Sequence, residues 1–332
     1  MQKLNEYLCS VKNFNGCVLV AQGGEIILEE GYGFADKTEG KRNAPGTSFY
    51  IGSITKSMTA LSILQLVENG SLQLGARIEE FLPGIYDGKR ITLHHLLSHT
   101  SGIPNDFSFE EIRTGENLTS MEIIEFVSKK PLKYEPGRKW TYSNSNFMLL
   151  AFIIEKVSGE TYHEYVKKSV LQPAGMKKTS FSDKDFKDLA QPGKSMFHCT
   201  PNMMLGAGDV ISDIEDLYRY DQALYTETLA TKQSIDTMQH VAHNGTFVKY
   251  GYGWFINKNF GHRSVSHGGL HPLGYTSHLE RYPEDGLTII VLSNAMERYS
   301  PLGSPYFGST DIARELAARF FDRKARFWQK LF

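Results

Sequence analysis

Hydrophobic and polar positions along the chain predict strands near both ends and helices between them. The first dozen residues have a short helical pattern, and apolar runs at residues 16–21 and 25–29 predict two strands joined by a hairpin at Gly23-Gly24. A longer helix is predicted from residue 53 to residue 69, where Gly70 is placed to end it.

From about residue 71 to residue 208, helical patterns alternate with loops rich in proline and glycine. Helices are predicted at residues 120–129, 144–158, 162–171, 213–225 and 311–328, and later strands at residues 251–256, 264–267, 275–282 and 287–293. This order predicts an α/β (α+β) fold, an antiparallel sheet flanked by helices with an inserted, mostly helical region. We expect residues 1–70 and 209–332 to form the sheet domain and residues 71–208 the insertion, together making one catalytic unit.

Composition excludes some classes of function. The 332 residues include 36 Lys and Arg against 37 Asp and Glu, a formal net charge of −1, which argues against a nucleic-acid partner. The first residues lack the basic-then-apolar layout of a signal peptide. We therefore expect a cytoplasmic protein by default, or an extracytoplasmic one if a leader has been removed.

A serine and a lysine stand three residues apart at the start of the predicted helix, as Ser53 and Lys56. Capping the helix would be a sufficient role for Ser53 alone. Lys56 is harder to explain, because the helix is apolar nearly all round and a buried lysine is costly without partners. Side chains three apart share a helix face, so Lys56 can take the hydroxyl proton of Ser53. The pair predicts an activated nucleophile.

Two further short motifs carry polar side chains that would complete a site. Tyr142 and Asn144 precede a predicted helix, although Asn144 as a helix cap and Tyr142 packed on Trp140 would also explain them. His267 and Gly269 belong to a segment that closes a predicted strand with small residues, where a simple glycine turn is the alternative.

Histidines offer a competing, metal-based interpretation. His94, His95 and His99 lie among apolar residues, which favours structural histidines over metal ligands. His267 and His271 are four residues apart, a spacing that suits two ligands on a helix, but the intervening glycines disfavour a helix there. We expect no metal and no cofactor.

The order and spacing of the three polar motifs resemble those of the serine β-lactamase and penicillin-binding protein superfamily: Ser53-x-x-Lys56, Tyr142-x-Asn144 and His267-x-Gly269. The likeness is to the class C-like branch, which includes D,D-carboxypeptidases, D-aminopeptidases and β-lactamase-fold esterases. Surrounding segments are also similar, at residues 91–102, 136–137, 206–209 and 250–254. The resemblance implies a β-lactamase/transpeptidase-like fold.

The resemblance also implies a role for each site residue. Ser53 would attack a carbonyl to give an acyl-enzyme, with Lys56 assisting removal of its proton. Tyr142, with a pKa depressed by neighbouring positive charge, would pass the proton to the leaving group and later activate water. Asn144 would bind the acyl-side amide of the substrate, and the backbone N–H groups of Ser53 and Leu270 would hold the oxyanion.

His267 and Gly269 would line the substrate-binding site. His267 departs from the pattern of the family, because many relatives have lysine at this position. Lysine offers a permanent cation to a substrate carboxylate, whereas histidine is largely neutral at pH 7. This favours a D-peptidase or an esterase over an efficient β-lactamase. The substrate would be a small molecule or short peptide, β-lactams included, lying near Trp254 and His271. The alternative is a non-catalytic module that binds peptides or lactams on the same fold.

The C-terminal segment from Arg314 to the end is basic on one face and apolar on the other. Such a helix can lie on an anionic membrane surface. A terminal helix more often packs its apolar face on the sheet, and the resemblance implies the same.

Overall fold

The computed structural model describes residues 2–114, 118–196, 199–200, 203–246, 248–296 and 308–321. Its strands, in chain order, are β1 (Gly16–Gln22), β2 (Glu25–Tyr32), β3 (Phe34–Asp36), β4 (Lys41–Arg42), β5 (Phe49–Tyr50), β6 (Ile211–Ser212), β7 (His243–Asn244), β8 (Lys249–Tyr250), β9 (Phe255–Asn259), β10 (His262–His271), β11 (Tyr275–Tyr282) and β12 (Leu287–Ser293).

The helices fall mainly between β5 and β6 and at the two ends. In chain order they are α1 (Gln2–Ser10), α2 (Thr55–Glu68), α3 (Leu93–Leu97), α4 (Glu110–Thr114), α5 (Ser120–Ser128), α6 (Asn144–Ser158), α7 (Tyr162–Val166), α8 (Ile214–Ala223), α9 (Lys232–Met238) and α10 (Gly308–Phe320). Shorter 3₁₀ turns at Gly52–Ile54 and Asp106–Ser108 carry Ser53 and Asp106.

Within the described residues, the main sheet is antiparallel and has the strand order β2-β1-β12-β11-β10-β9-β8-β7. Strands from the two ends of the chain pair with each other near one edge of this sheet, where Val18 of β1 lies opposite Val291 of β12. Two small sheets, β3 with β4 and β5 with β6, complete the strand pairing. The α/β (α+β) class and the antiparallel sheet flanked by helices are confirmed.

The sheet separates two apolar cores because alternate side chains of each strand point to opposite faces. In β1, Leu19 lies in the larger core with the helices of the middle region, whereas Val18 and Val20 lie in a smaller core. Leu8 of α1 and Leu316 of α10 close that smaller core. Full burial of each such side chain contributes about 1.5–3 kcal/mol.

Most predicted elements are present, with differences at their ends. The predicted helix 53–69 begins as a 3₁₀ turn and becomes α-helical only at Thr55. The predicted strand 251–256 is wrong over its first four residues: Gly253 has a φ of +72° and packs against the Lys56 backbone, so β9 starts at Phe255. The division into a sheet domain and a helical insertion stays a prediction.

Helix α10 packs its apolar face, including Ile312 and Leu316, into the smaller core. Most of the basic residues predicted for a membrane-facing surface fall in residues 322–332, outside the described residues. Over the described ranges, no helix is both long and apolar enough to cross a bilayer.

Candidate active site

Lys56 lies one turn into α2 with its side chain 0% exposed. Its amine forms hydrogen bonds with the Ser53 hydroxyl at 3.0 Å, with Asn144 Oδ1 at 2.8 Å and with the Ala207 carbonyl oxygen at 2.7 Å. The predicted contact between Ser53 and Lys56 is therefore present, and Asn144 joins it from the start of α6. These bonds meet the need for partners that a buried lysine creates.

The three partners of Lys56 suit a neutral amine as well as an ammonium. Asn144 Oδ1 and the Ala207 carbonyl can only accept, whereas the Ser53 hydroxyl can donate. A neutral amine can therefore donate two N–H groups to the two acceptors and accept the Ser53 proton on its lone pair. Burial lowers the pKa of Lys56 to about 7, although the charges of Asp106 and Asp209 oppose this shift. A substantial fraction of the amine is then neutral at pH 7.

Ser53 lies in the 3₁₀ turn Gly52–Ile54 and leads directly into α2. No side chain caps the start of the 3₁₀ turn or the start of α2, so Ser53 does not act as a helix cap. The residue is 8% exposed, whereas Ile54 and Lys56 beside it are fully buried.

The turn that holds Ser53 packs closely against β10. A Cβ atom on Gly52, whose φ is +51°, would lie 3.0 Å from the backbone nitrogen of Leu270. A Cβ on Gly269 would overlap the carbonyl oxygen of Ile51, which also accepts a 2.7 Å hydrogen bond from Ser277. Glycine is required at both positions for this approach. The predicted oxyanion donor, Leu270 N–H, therefore belongs to a strand segment that packs against the turn of Ser53.

Tyr142 faces Lys56, with its ring centroid 4.9 Å from the amine nitrogen. Burial raises the pKa of Tyr142 well above its usual range, the Ser53 side chain lowers it by less, and the Asp106 charge adds to the increase. The expectation of a depressed Tyr142 pKa was wrong. Because Lys56 loses its proton near pH 7, no cation remains beside the phenol at the pH where it would ionise.

Asn144 is the first residue of α6, and its neighbour Ser143 occupies the cap position. The Asn144 backbone N–H donates to Asn105 Oδ1 at 2.9 Å. Asn144 Oδ1 is bound to Lys56, and the amide group at the same end of the side chain contacts the buried Asp106 carboxylate. Its role in substrate binding stays a prediction.

His267 lies within β10, which continues through the glycines to His271, so the alternative of a glycine turn is wrong. Its Nδ1 lies 2.7 Å from the Gly268 carbonyl oxygen and its Nε2 lies 3.2 Å from the Tyr250 hydroxyl. These contacts fit a neutral ring that donates from Nδ1 and accepts at Nε2. Burial first, and then the Lys56 charge, lowers the pKa of His267 to about 3. The ring is uncharged at pH 7.

The other histidines have structural contacts. His94 Nδ1 lies 2.7 Å from the Tyr252 hydroxyl, His95 Nδ1 accepts from the backbone of the residue that caps α3, and buried His99 contacts an asparagine of α6. His267 and His271 stand in one strand, about 13 Å apart at about 3.3 Å per residue, too far to share a metal ion. No cluster of metal ligands occurs among the residues that the structure describes.

Two aspartates and one asparagine at this site are not among the residues predicted from the sequence. Asp209 pairs with His163 at 2.7 Å and accepts from the Gly206 backbone at 3.0 Å, which fixes the loop whose Ala207 carbonyl binds Lys56. Asp106 and Asn105 belong to a loop with no recognisable motif, and only their position after a Gly-Ile-Pro turn could have marked them.

Trp254 and His271, expected near the substrate, are both 0% exposed. Neither side chain therefore reaches the surface beside Ser53.

Comparison with known proteins identifies the family. The Beta-lactamase family model matches residues 12–305. PbpX of Bacillus subtilis strain 168 is predicted to be a penicillin-binding protein and is 33% identical to this chain over 312 residues. The match covers 91% of this chain and 75% of the length of PbpX. The octameric penicillin-binding protein homologue from Pyrococcus abyssi superposes with a TM-score of 0.85 at 29% identity, covering 98% of this chain and 78% of its own.

A more distant relative shows the fold alone. D-amino acid amidase from Ochrobactrum anthropi SV3, complexed with D-phenylalanine, has a TM-score of 0.83 at 20% identity, with 97% of each chain covered. The family match, spanning most of the chain, and the identity with PbpX agree with the resemblance carried by the three motifs. The chain belongs to the beta-lactamase family.

Proposed function

We propose that the protein is a serine hydrolase that cleaves an amide, ester or β-lactam bond through an acyl-enzyme on Ser53. The observation that carries this proposal is the buried Lys56 amine, 3.0 Å from the Ser53 hydroxyl and held by two groups that can only accept. A structural role for Lys56 would not require a hydroxyl among its partners.

The proposed reaction starts with neutral Lys56. Ser53 Oγ attacks the substrate carbonyl carbon while its proton moves to the amine, and the backbone N–H groups of Ser53 and Leu270 hold the resulting oxyanion. Tyr142, protonated because its pKa is raised, gives its proton to the leaving group and receives one from Lys56. The same relay, run in reverse, activates the water that releases the acyl group.

A neutral leaving group suits the site best. In the many relatives with lysine at the position of His267, a substrate carboxylate would meet a cation, but the His267 ring is uncharged at pH 7. We therefore propose a D-peptidase or an esterase rather than an efficient β-lactamase. A cytoplasmic location, which we also propose, would favour peptide fragments or small esters over mature cell wall.

The test follows the intact mass of the protein over time with excess benzylpenicillin, for the wild type and for Ser53→Ala. We expect an adduct of the mass of the drug on the wild type only, because the variant lacks the attacking oxygen. Slow loss of the adduct would point to a peptidase, and rapid loss to a lactamase.

Ester hydrolysis provides the second measurement of the same pair. If the wild type forms no adduct and also fails to hydrolyse p-nitrophenyl acetate faster than Ser53→Ala does, the proposal is wrong. The alternative of a non-catalytic binding module would then account for the fold.

A further inference from the structure

Asp106 is a buried acid that the reaction outlined above does not use. The residue is 0% exposed. The Asn144 side chain and the backbone N–H groups of Asp106 and Phe107 contact its carboxylate, but in the described part of the chain neither oxygen has a well-aligned hydrogen bond. A buried polar group without such partners costs free energy, and a carboxylate costs more than a neutral group. The position therefore needs an explanation beyond packing.

The loop that carries Asp106 is fastened to the start of α6. The Pro104 carbonyl oxygen accepts hydrogen bonds from Ser143 Oγ at 2.9 Å and from Ser145 Oγ at 3.2 Å. The neighbouring Asn105 side chain accepts from the Asn144 backbone at 2.9 Å. These bonds hold Asp106 beside the helix start from which Asn144 reaches Lys56.

Asp106 and Lys56 are each other's main charged neighbour. Burial raises the pKa of Asp106 to about 6, and Lys56 is the strongest influence that lowers it. In turn, the charge of Asp106 raises the pKa of Lys56 more than the charge of Asp209 does. The charge of Asp209 is already engaged by His163 and by a backbone N–H group.

We propose that the Asp106 carboxylate is the counter-charge that stabilises the Lys56 ammonium formed when Ser53 attacks. The inference rests on the proposed function. In that step the bond between Ser53 Oγ and the carbonyl carbon forms, the carbonyl π electrons move to the oxygen, and the serine proton moves to Lys56. The proton leaves Lys56 again, through Tyr142, as the carbonyl re-forms and the leaving group departs.

The need for a counter-charge follows from the surroundings of Lys56. Its hydrogen-bond acceptors are a hydroxyl, an amide and a carbonyl, all uncharged. A newly formed ammonium in such a dry site is stabilised most by a fixed negative charge, which acts over several ångströms in a medium of low dielectric constant. Asp106 is thus a positioning residue, because its charge acts on Lys56 and not on the reacting atoms.

Other titratable groups that face this pair are uncharged near pH 7. Burial lowers the pKa values of His99 and His267, which keeps both rings neutral. Burial raises the pKa values of the Tyr142 phenol and the Cys199 thiol, which keeps both protonated. Asp106 and Lys56 are the groups of this cluster whose pKa values, about 6 and about 7, lie in the range where activity is measured.

The test compares the wild type with Asp106→Asn, which keeps the shape and removes the charge. The substrate is p-nitrophenyl acetate, and kcat and KM are measured separately from pH 5 to pH 10. We expect kcat to fall about 10- to 100-fold on the alkaline plateau while KM changes little, because the lost stabilisation acts only once the ammonium forms. The acidic limb should move to lower pH, since loss of the anion lowers the pKa of Lys56.

Thermal unfolding separates this role from a structural one. The pKa of Asp106 in the folded protein, about 6, lies above its ordinary value of 3.8, so stability falls as pH rises between these values. Asp106→Asn should therefore melt at a higher temperature than the wild type at pH 8 and show no gain at pH 4. A merely structural aspartate would give the opposite sign.

Asp213→Asn is the matched control for activity. Asp213 is also buried with a pKa raised to about 6, and asparagine keeps its cap of α8. We expect its kcat to match the wild type. If Asp106→Asn keeps the wild-type kcat and acidic limb, or unfolds where Asp213→Asn does not, the inference is overturned. Failure of the proposed function would look different, since the wild type itself would then show no turnover dependent on Ser53.

Discussion

At the scale of single residues, Lys56 is the side chain that connects the parts of the candidate site. Each of its three hydrogen bonds goes to a different part of the chain, to the Ser53 turn, to α6 and to the loop at Ala207. The amine is therefore fixed in place without being held in its charged form. Burial then shifts its proton equilibrium into the range where a base is useful at neutral pH.

The activity of the protein should rise with pH through the Lys56 titration. The pKa of Lys56 is about 7, and only the neutral amine can accept the Ser53 proton. We expect kcat/KM for p-nitrophenyl acetate to fall about tenfold for each pH unit below 6. His267→Gln is the control, because a group with a pKa of about 3 cannot produce this limb. A limb that disappears in that variant would assign the base to histidine instead.

The sequence predicts the Ser53–Lys56 pair because a charged residue inside an apolar helix stands out without any structure. It does not reveal Asp106, since nothing in a short loop of proline and asparagine shows that it folds back on α6. The prediction of a depressed Tyr142 pKa was wrong for a related reason. Its direction depends on burial and on when Lys56 loses its charge, and neither can be read from spacing.

At the scale of elements, the site depends on β10 lying against the turn before α2. Gly269 has no side chain, which lets the strand reach the Ile51 carbonyl. That contact places Leu270, the next residue, beside Gly52. Ser53, the proposed nucleophile, and Leu270, the proposed oxyanion donor, are thus brought together by backbone packing.

Gly269→Ala should separate these two elements. The added methyl group would overlap the Ile51 carbonyl oxygen and the Ser277 hydroxyl, so β10 must move away from Ser53. We expect kcat/KM for an ester to fall at least about 100-fold, the scale of losing one oxyanion donor. Gly75→Ala is the control, because no atom lies within 4 Å of a Cβ there. Equal activity in the two variants would remove Leu270 from the oxyanion site.

Elements with a clear stop signal were predicted best. Helix α6 ends as predicted, before Gly159 with a φ of +74°, and β11 and β12 match their predicted bounds. Short helices such as α3 and α9 were missed, because five to seven residues give too little periodicity. Tertiary contacts fix them instead.

At the scale of the whole molecule, a buried ion pair ties the helical layer to the sheet. Arg281 of β11 contacts Asp221 of α8, and Asp221 also accepts a 2.6 Å hydrogen bond from Thr288 on β12. Arg281 and Thr288 are cross-strand neighbours, so one carboxylate spans two strands. The Tyr225 ring lies 4.6 Å from the guanidinium carbon and covers it.

Asp221→Ala should destabilise the fold strongly, because it leaves the Arg281 cation buried without its partner. The expected cost is about 3–5 kcal/mol, measured by urea denaturation. The control is Asp188→Ala, which removes the exposed ion pair with Lys41 and should cost less than about 1 kcal/mol. Similar losses in both variants would show that the buried pair does not join the two layers.

The pairing of β1 with β12 has a consequence for the chain while it is being synthesised. Val18 meets Val291, so roughly 270 residues must leave the ribosome before β1 gains its second neighbour. At about 5–20 residues per second, that takes about 14–54 s. Throughout this interval one edge of an apolar strand, Gly16–Gln22, has no partner in the nascent protein and can join another chain. Efficient folding in the cell therefore depends on protecting the first strand until the last one arrives.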